Sequence, residues 1–243
     1  SKTGVDAIKF QTHIAEEEST LDEPFRVNLH YKFSFKNRYD YWKSVEFSIH
    51  EWNQIKKYVE KKKLIFFTSV FSIKAIHMMK KIGVKVLKIG SGEFDSKDLI
   101  NEIVDAKIPV LLSTGMTKLS EIDKMNKFLK RKKAVYGFFQ CTSSYPVKLT
   151  QVGINMIDEL KKRYRCPIGL SDHSGTIYPS IFGLSLNTNL LEVHVKLNKG
   201  EKGPDATSSI NIDELKKICE INNAIYLMRK NPVNKSILSN KLK

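Results

Sequence analysis

The sequence has few features of secreted, membrane-spanning or disulfide-stabilised proteins. Its 243 residues include only three cysteines, Cys141, Cys166 and Cys219, which lack the spacing of metal ligands and cannot all pair within the chain. Nowhere do about eighteen apolar residues follow one another, the length that a membrane helix requires. The first residues also lack the pattern of a secretory signal. We therefore expect a protein of the reducing cytoplasm without a membrane partner.

Acidic residues are also scarce, since 26 Asp and Glu stand against 41 Lys and Arg and the net charge is +15. Such an excess raises the question of a nucleic-acid partner. The densest basic runs, at residues 61–63, 130–133 and 161–165, each close a predicted helix just before a strand, where cations complement the helix C-terminus. Lysine also outnumbers arginine, the residue better suited to bidentate recognition of phosphates and bases. We therefore expect no nucleic-acid partner.

The chain does contain a regular alternation of short β-branched or apolar runs with amphipathic segments of helical length. This alternation is typical of repeated βα units around a parallel sheet. It predicts an α/β fold of the (β/α)8 TIM-barrel type in a single domain, with a helix after each strand. Seven strands are predicted, at residues 7–10, 64–68, 86–89, 109–112, 136–139, 168–170 and 190–193.

The two ends of the chain bear on its domain limits. We predict a barrel over residues 1–230 and a polar linker over residues 231–243, where Pro232 breaks the pattern. A barrel of this kind needs eight strands, so seven βα units predict a barrel that is truncated at its N-terminus. Residues 12–45 exceed ordinary loop lengths and predict a functional or partly mobile loop. Ser48 and Glu51 predict a capping box at the start of the next helix.

Polar side chains follow every predicted strand. In parallel βα proteins the active site forms at the carboxyl ends of the strands, and a ring of Ser, Thr and Lys there suits a phosphorylated anion. Lys9 and Lys88 converge at this end, which indicates a ligand with at least two negative charges. The candidates, in strand order, are Lys9 and Gln11; Ser69; Lys88, Ser91 and Glu93; Ser113 and Thr114; Cys141, Thr142, Ser143 and Tyr145; Ser171, Asp172 and His173; and Glu192 and His194.

His173 and His194 end successive predicted strands, and neighbouring parallel strands lie only about 4.8 Å apart. Both imidazoles can therefore reach one ion, and each has a carboxylate beside it in SDHSG and LEVHV. Either histidine alone would be interpreted as a hydrogen-bonded core residue. The pair predicts a divalent ion, Mn²⁺ first and Mg²⁺, Fe²⁺ or Co²⁺ as alternatives, rather than structural zinc. The other histidines have no such neighbours and are given no role: His13, His30, His50 and His77.

Three glycine-containing segments are weaker signals when each is taken alone. KIGSGEFDS from Lys88, STGM from Ser113 and GPD from Gly203 suit a backbone that approaches a ligand closely. Each also suits an ordinary turn before a helix. Cys141 has no basic neighbour in sequence that would lower its pKa, so we predict a packing residue rather than a nucleophile.

Together and in this order, the segments resemble the catalytic barrel of the sialic acid synthase family, which includes N-acetylneuraminate, legionaminate and pseudaminate synthases. The motifs are KFQ at Lys9, KIGSGE at Lys88, LSTGM at Leu112, CTSSYP at Cys141, GLSDHS at Gly169, EVH at Glu192 and GPD at Gly203. The resemblance covers nearly the whole chain. It implies a metal-dependent transferase that condenses phosphoenolpyruvate with an N-acylated mannosamine-type sugar, giving a nine-carbon 2-keto sugar acid and phosphate.

The resemblance also implies roles for individual residues. Metal ligands fall on His173 and His194, and catalytic roles fall on Glu93, Lys88, His173 and Asp205. The positions that face the sugar are Glu93, Tyr145 and Asp205. The phosphoenolpyruvate contacts are Lys9, Gln11, Ser69, Lys88, Ser91, Ser113, Ser143 and Ser171. The family is commonly dimeric, so we consider a homodimer as the assembly.

Departures from the family pattern leave alternatives open. Family members carry a glutamate and an Asn-His pair around the first barrel strand, and many carry a C-terminal antifreeze-like domain. We expect both to be absent here, and Ser143 stands where some relatives have Asn. A barrel fragment that acts as a binding or scaffold protein is therefore one alternative. A related phosphoenolpyruvate-dependent synthase with a phosphorylated acceptor is another, and its extra basic cluster would be Lys196, Lys199 and Lys202.

Overall fold

The computed structural model describes residues 3–25, 35–198, 200–201 and 203–235. These residues form one sheet of eight parallel strands, in which each strand pairs with the next along the chain. The strands are β1 (Ala7–Thr12), β2 (Ile65–Val70), β3 (Leu87–Ile89), β4 (Val110–Ser113), β5 (Tyr136–Gln140), β6 (Ile168–Asp172), β7 (Leu190–Lys196) and β8 (Ser209–Asn211).

Helices connect the strands and pack against the sheet. The capping box predicted at Ser48 is confirmed, because Ser48 Oγ accepts from the Glu51 N–H and the Glu51 carboxylate accepts from the Ser48 N–H. The α-helices in the described residues are α1 (Ala15–Glu18), α2 (Arg38–Val45), α3 (Ile49–Lys61), α4 (Ile73–Ile82), α5 (Lys97–Asp105), α6 (Leu119–Arg131), α7 (Asn155–Arg163), α8 (Tyr178–Ser185) and α9 (Ile212–Lys230).

The sheet is strongly curled. In a flat sheet β3 and β7 would lie roughly 19 Å apart, which is four spacings of about 4.8 Å. Lys88 Nζ on β3 nevertheless lies 2.5 Å from Glu192 Oε1 on β7. No pairing of β8 with β1 occurs within the described ranges, so the sheet is an open, curled half-barrel. The carboxyl ends of its strands converge on one opening, which we call the mouth.

The strand count corrects the expectation of seven. All seven predicted strands form, with ends that differ by up to three residues, but β8 was missed. Its three residues contain a single apolar side chain, Ile210, which is too little for an alternating pattern to be recognised. The expectation of a missing strand therefore rested on a count that was one too low. The prediction of a helix after each strand was also wrong, since β7 is followed by β8 before α9 begins.

The core lies between the sheet and the helices. Trp52 of α3, Met79 of α4 and Ile103 of α5 are fully buried there, and burying a side chain of this size stabilises the fold by about 1.5–3 kcal/mol. Ile218 of α9 belongs to a smaller apolar cluster against which Val5 packs. The last helix therefore packs against the residues that precede β1.

The segment predicted to be a long loop, residues 12–45, contains helices α1 and α2. Residues 26–34 lie outside the described part of the chain. The Ala15 N–H donates to Glu46 Oε2 at 3.0 Å, so the residue that follows α2 is tied to the start of α1. The mobility predicted for the segment of residues 12–45 stays a prediction.

The last helix ends at Lys230, and residues 236–243 of the predicted linker lie outside the described residues. The division into barrel and linker stays a prediction. The three basic runs lie at the ends of α3, α6 and α7. None of the helices in the described segments is long and apolar enough to cross a membrane.

Candidate active site

A buried lysine–carboxylate contact lies in the mouth. Lys88 Nζ from β3 and Ser171 Oγ from β6 both donate to Glu192 Oε1 of β7, at 2.5 and 2.8 Å. Lys88 Nζ also lies 5.2 Å from the centre of the Phe139 ring. The ammonium group is therefore held from two sides, and the side chains of Lys88 and Glu192 are almost fully buried.

Lys9 of β1 adds a second cation to this cluster. Burial lowers the pKa of Lys9, while the Glu192 carboxylate opposes the shift and Lys88 adds to it. Burial alone would raise the pKa of Glu192, but Lys88 and Lys9 outweigh it and hold the pKa of that carboxyl well below its usual range. The cluster therefore holds two lysines beside the Glu192 carboxylate, and Asp205 is a further carboxylate that acts on Lys9. Lysines gathered at one place attract an anionic ligand.

The two predicted metal ligands lie side by side. The ring centres of His173 and His194 are 5.3 Å apart, and the Tyr145 ring lies 4.5 Å from the first and 6.2 Å from the second. Asp205 Oδ2 is 3.4 Å from His194 Nδ1. The structure therefore brings both histidines together with two of the three residues predicted to face a sugar, Tyr145 and Asp205.

The orientation of the His173 ring follows from its neighbours. Its Nδ1 lies 3.1 Å from the Thr142 carbonyl oxygen, which can only accept, so Nδ1 carries the hydrogen and Nε2 has a lone pair. Burial lowers the pKa of His173 to about 4. Burial also lowers the pKa of His194, against the opposing effect of Asp205. Both imidazoles are therefore neutral at pH 7, the form that binds metal ions.

A serine cradle lies beside this cluster, formed by Ser91, Ser143 and Gly115. The Gly115 N–H donates to Ser91 Oγ at 3.0 Å, and Ser91 Oγ lies 3.2 Å from Cys141 Sγ. A Cβ atom on Gly115 would come within 2.5 Å of Ser143 Oγ and within 2.9 Å of Ser91 Oγ and Cys141 Sγ. Any larger residue at this position would force these side chains to move, and the hydroxyls around Gly115 suit the oxygens of a phosphate group.

The other predicted phosphoenolpyruvate contacts lie along the same strand ends. Gln11 pairs with Ser69, and Ser69 pairs with Lys88, so the three side chains point to the same face of the sheet. Ser69 is buried, whereas Gln11 is exposed. Ser113 is buried at the end of β4, and its Oγ has no hydrogen-bond partner among the described residues.

Glu93 belongs to a second group of charges. Its charged neighbours are Glu18 of α1, His13 and Arg38. Burial, followed by the Glu18 carboxylate, raises the pKa of Glu93. Its predicted place in one sugar site with Tyr145 and Asp205 stays a prediction.

The chemistry of the two histidines fits a divalent ion. His173 Nε2 has a lone pair, and Asp205 contacts His194 as a carboxylate that orients a metal-binding imidazole would. Among the described residues no group of three or more His, Cys, Asp or Glu side chains is arranged to hold an ion. An ion held by this pair would therefore take its other ligands from substrate or water, which is typical of catalytic sites rather than structural ones.

Comparison with known proteins establishes the family. The model of the NeuB family matches residues 1–233. The chain belongs to the NeuB family. The resemblance to sialic acid synthases that the motifs predicted is thereby confirmed.

Two relatives and one solved structure show how far the similarity of this NeuB chain extends. An uncharacterised protein of Methanocaldococcus jannaschii is 31% identical over 230 residues, which cover 94% of this chain and 64% of that protein. The N,N'-diacetyllegionaminic acid synthase of Campylobacter jejuni is 26% identical over 221 residues, covering 89% and 66%. The N-acetylneuraminic acid synthetase of Leptospira borgpetersenii superposes with a TM-score of 0.84 at 27% identity, covering 97% of this chain and 79% of that one. The NeuB chain spans less than two thirds of the length of the Methanocaldococcus jannaschii protein and of the Campylobacter jejuni synthase.

The sequence patterns did not predict the contacts of His13. Its ring is buried between Trp42 and Phe71, with ring centres 3.9 and 4.5 Å away, and its Nδ1 lies 2.7 Å from Glu18 Oε2. Glu18 Oε1 accepts from the Ile14 N–H. The aromatic partners come from distant parts of the chain, so no local pattern indicated this contact.

From the sequence, Glu192 was predicted as a polar residue at a strand end, as the carboxylate beside His194 and as part of the EVH motif, but its contact with Lys88 was not predicted. A signal was nevertheless present, because residues two apart on a strand point to the same face. Glu192 therefore had to share the face of His194, the predicted metal ligand. The structure places it in direct contact with Lys88 and Ser171.

Proposed function

We propose that this NeuB chain condenses phosphoenolpyruvate with an N-acylated mannosamine-type sugar, giving a nonulosonic acid and phosphate. The observation that carries the proposal is the pair of lysines that act on Glu192, Lys9 and the buried Lys88, together with the serine cradle. This arrangement suits a small ligand with a carboxylate and a phosphate group. Characterised relatives are an N,N'-diacetyllegionaminic acid synthase, an N-acetylneuraminate-9-phosphate synthase and a pseudaminic acid synthase, and their names support the same class of reaction.

The reaction makes one carbon–carbon bond and releases one phosphate. C3 of phosphoenolpyruvate attacks the aldehyde carbon of the open-chain sugar, and the aldehyde oxygen takes up a proton. Water adds to C2 and gives up one proton, which balances the proton taken up by the aldehyde oxygen. The bond between C2 and the bridging oxygen then breaks, the new C2 hydroxyl loses its proton to form the ketone, and phosphate leaves with the bridging oxygen and that proton. Lys9 and Lys88 offset the carboxylate and phosphate charges, while Ser91 and Ser143 donate to phosphate oxygens.

His173 and His194 would hold a divalent ion, with Mn²⁺ first and Mg²⁺ or Co²⁺ as alternatives. Such an ion, when bound, supplies Lewis-acid polarisation of the sugar aldehyde. The Thr142 carbonyl fixes the His173 ring, and Asp205 orients His194. Tyr145 packs against both rings and forms one side of the space above them.

We propose an acceptor without a phosphate group. Glu93, Tyr145 and Asp205 offer hydrogen-bonding groups for sugar hydroxyls, whereas a phosphorylated sugar needs further cations. In the described residues Lys196 is the one member of the predicted basic cluster, and its Nζ donates one of its three hydrogens to the Ala206 carbonyl at 2.9 Å. Lys199 and Lys202 lie outside the described residues.

A phosphate-release assay tests the proposal. The purified chain is incubated with phosphoenolpyruvate and a panel of N-acylated mannosamines, with Mn²⁺, Mg²⁺, Co²⁺ or EDTA. We expect sugar-dependent phosphate release that EDTA abolishes and that Lys88→Ala, His173→Ala and His194→Ala each remove. Lys80→Ala and His77→Ala change exposed residues of the same types on α4 and serve as matched controls. Failure of the chain both to release phosphate and to bind phosphoenolpyruvate in calorimetry would contradict the proposal.

A further inference from the structure

Glu192 of β7 contacts Lys88 of β3 and Ser171 of β6, and through Ser171 it is connected to His173, the residue directly after β6. Glu192 Oε1 accepts from Lys88 Nζ and from Ser171 Oγ. Ser171 Oγ lies in turn 3.2 Å from His173 Nε2. Ser171 has one hydroxyl hydrogen, so it can donate to Glu192 or to His173 but not to both at once.

The geometry decides which acceptor receives that hydrogen. The distance to Glu192 Oε1 is 2.8 Å and the distance to His173 Nε2 is 3.2 Å. The acceptor on Glu192 is also a carboxylate, and hydrogen bonds to charged groups are shorter and stronger than those between neutral groups. The hydrogen therefore lies toward Glu192, and the lone pair of His173 Nε2 is left without a hydrogen from Ser171.

The other nitrogen of His173 is committed as well. Its Nδ1–H donates to the Thr142 carbonyl, so the lone pair on Nε2 is what the ring offers to the mouth. If Glu192 were removed, the Ser171 hydroxyl would turn to His173 Nε2, the other acceptor in its reach. The lone pair would then be occupied by a hydrogen bond.

We infer that Glu192 is a positioning residue that keeps His173 Nε2 open for a divalent cation while it holds Lys88 in place. Nothing in the family match assigns this role to Glu192, and the inference rests on the proposed function only in taking that cation as the partner of His173. Glu192 acts on His173 through the Ser171 hydrogen bond. Its Oε2 is buried without a hydrogen-bond partner in the described residues.

Manganese affinity measured by calorimetry, without substrate, tests the inference. Substitution of a residue that orients a metal ligand through hydrogen bonds typically lowers metal affinity 10- to 100-fold. We therefore expect Glu192→Ala to lower the affinity for Mn²⁺ by about that factor. Glu192→Gln keeps an oxygen that accepts from Ser171 and Lys88, and it should lose less affinity. It is also the control for the loss of charge and for folding.

The double variant Glu192→Ala with Ser171→Ala isolates the hydroxyl. With no hydrogen to turn toward His173, it should bind Mn²⁺ about as tightly as Ser171→Ala alone. An affinity of Glu192→Ala equal to that of the unaltered chain would overturn the inference, and so would a double variant as weak as Glu192→Ala. Glu60→Gln, which removes a surface ion pair with Lys56 on α3, should leave the affinity unchanged.

A second measurement needs no metal and separates the inference from the proposed function. In the metal-free protein, ¹⁵N NMR of His173, assigned with a His173→Gln variant, should show Nε2 without a hydrogen bond in the unaltered chain. The Glu192→Ala variant should move this resonance upfield, and the double variant should move it back. If the unaltered chain binds no Mn²⁺, the metal in the proposed function is wrong, and the NMR shifts alone decide the role of Glu192.

Discussion

Four buried side-chain oxygens have no hydrogen-bond partner among the described residues, and two of them, Ser113 Oγ and Glu192 Oε2, belong to predicted site residues at strand ends. Leaving a buried polar atom unpaired costs about 1–3 kcal/mol. Such a cost is common where a protein keeps polar groups for binding rather than for stability. We therefore expect a substitution that removes either atom to raise the free energy of unfolding and to lower ligand affinity.

Ser113→Ala tests this opposition. Removing an unpaired buried hydroxyl should stabilise the ligand-free chain by up to about 1 kcal/mol while weakening phosphoenolpyruvate binding. Urea unfolding and calorimetry measure the two effects on the same samples. Ser72→Ala is the matched control, because Ser72 Oγ accepts from the Ala75 N–H at the start of α4 and its loss should destabilise by about 1 kcal/mol. A less stable Ser113→Ala variant with unchanged affinity would refute the assignment.

Gly115→Ala tests the serine cradle. The new methyl group would lie 2.5 Å from Ser143 Oγ and 2.9 Å from Ser91 Oγ, so it would fill the space meant for phosphate oxygens. We expect phosphoenolpyruvate affinity to fall at least tenfold, which is about 1.4 kcal/mol, while the circular dichroism spectrum stays the same. Gly92→Ala adds a methyl group whose nearest neighbour is Met116 Cε at 3.9 Å, and it should bind normally. Equal affinities of the two variants would place the phosphate elsewhere.

At the scale of the elements, a clamp of polar groups joins α6 to the end of α7. Arg163 Nε and Nη2 donate to the two carboxylate oxygens of Asp123 at 2.8 and 2.6 Å, and Tyr164 Oη donates to Asp123 Oδ1 at 2.9 Å. The hydrogen bonds from Arg163 and then Tyr164 lower the pKa of Asp123 from its ordinary 3.8 to about 2. The packing of two neighbouring helices therefore depends on the charge of one carboxylate.

The clamp predicts a defined pH dependence of stability. Because the pKa of Asp123 is lower in the folded chain, the unfolded chain binds more protons between about pH 4 and pH 2, and the stabilisation is lost as the pH falls through that window. Asp123→Asn should lower the urea midpoint at pH 7, and the difference from the unaltered chain should shrink below about pH 4. Asp158→Asn, an exposed change on α7, should show neither effect. A difference that stays constant down to pH 2 would show that the charge of Asp123 does not matter.

At the scale of the molecule, the sequence predicted the sheet better than the site. Strands such as β2 were recognisable because apolar runs are what a doubly covered parallel strand requires, whereas β8 has three residues and one apolar side chain. Site residues at strand ends were identifiable by position, but their partners were not. The contact between Lys88 and Glu192 depends on how far the sheet curls, and no local pattern encodes that.

Ligand binding should stabilise the whole fold. Phosphoenolpyruvate at 100 times its dissociation constant would add about 2.7 kcal/mol, which corresponds to a rise in melting temperature of roughly 5–10 °C for a chain of this size. Differential scanning fluorimetry with Mn²⁺ measures the shift. We expect it to disappear in Lys88→Ala and to persist in Lys80→Ala. A shift of the same size in both variants would mean that the ligand binds away from the mouth.

The contact that reveals the curl of the sheet also constrains how the protein is made. Lys88 and Glu192 are 104 residues apart in sequence, so closing the loop between them carries an entropy cost that neighbouring contacts do not. At a synthesis rate of about 5–20 residues per second, Glu192 is added to the chain roughly 5–20 s after Lys88. The lysine therefore stays hydrated over that interval, and the mouth is among the last parts of the nascent chain to form.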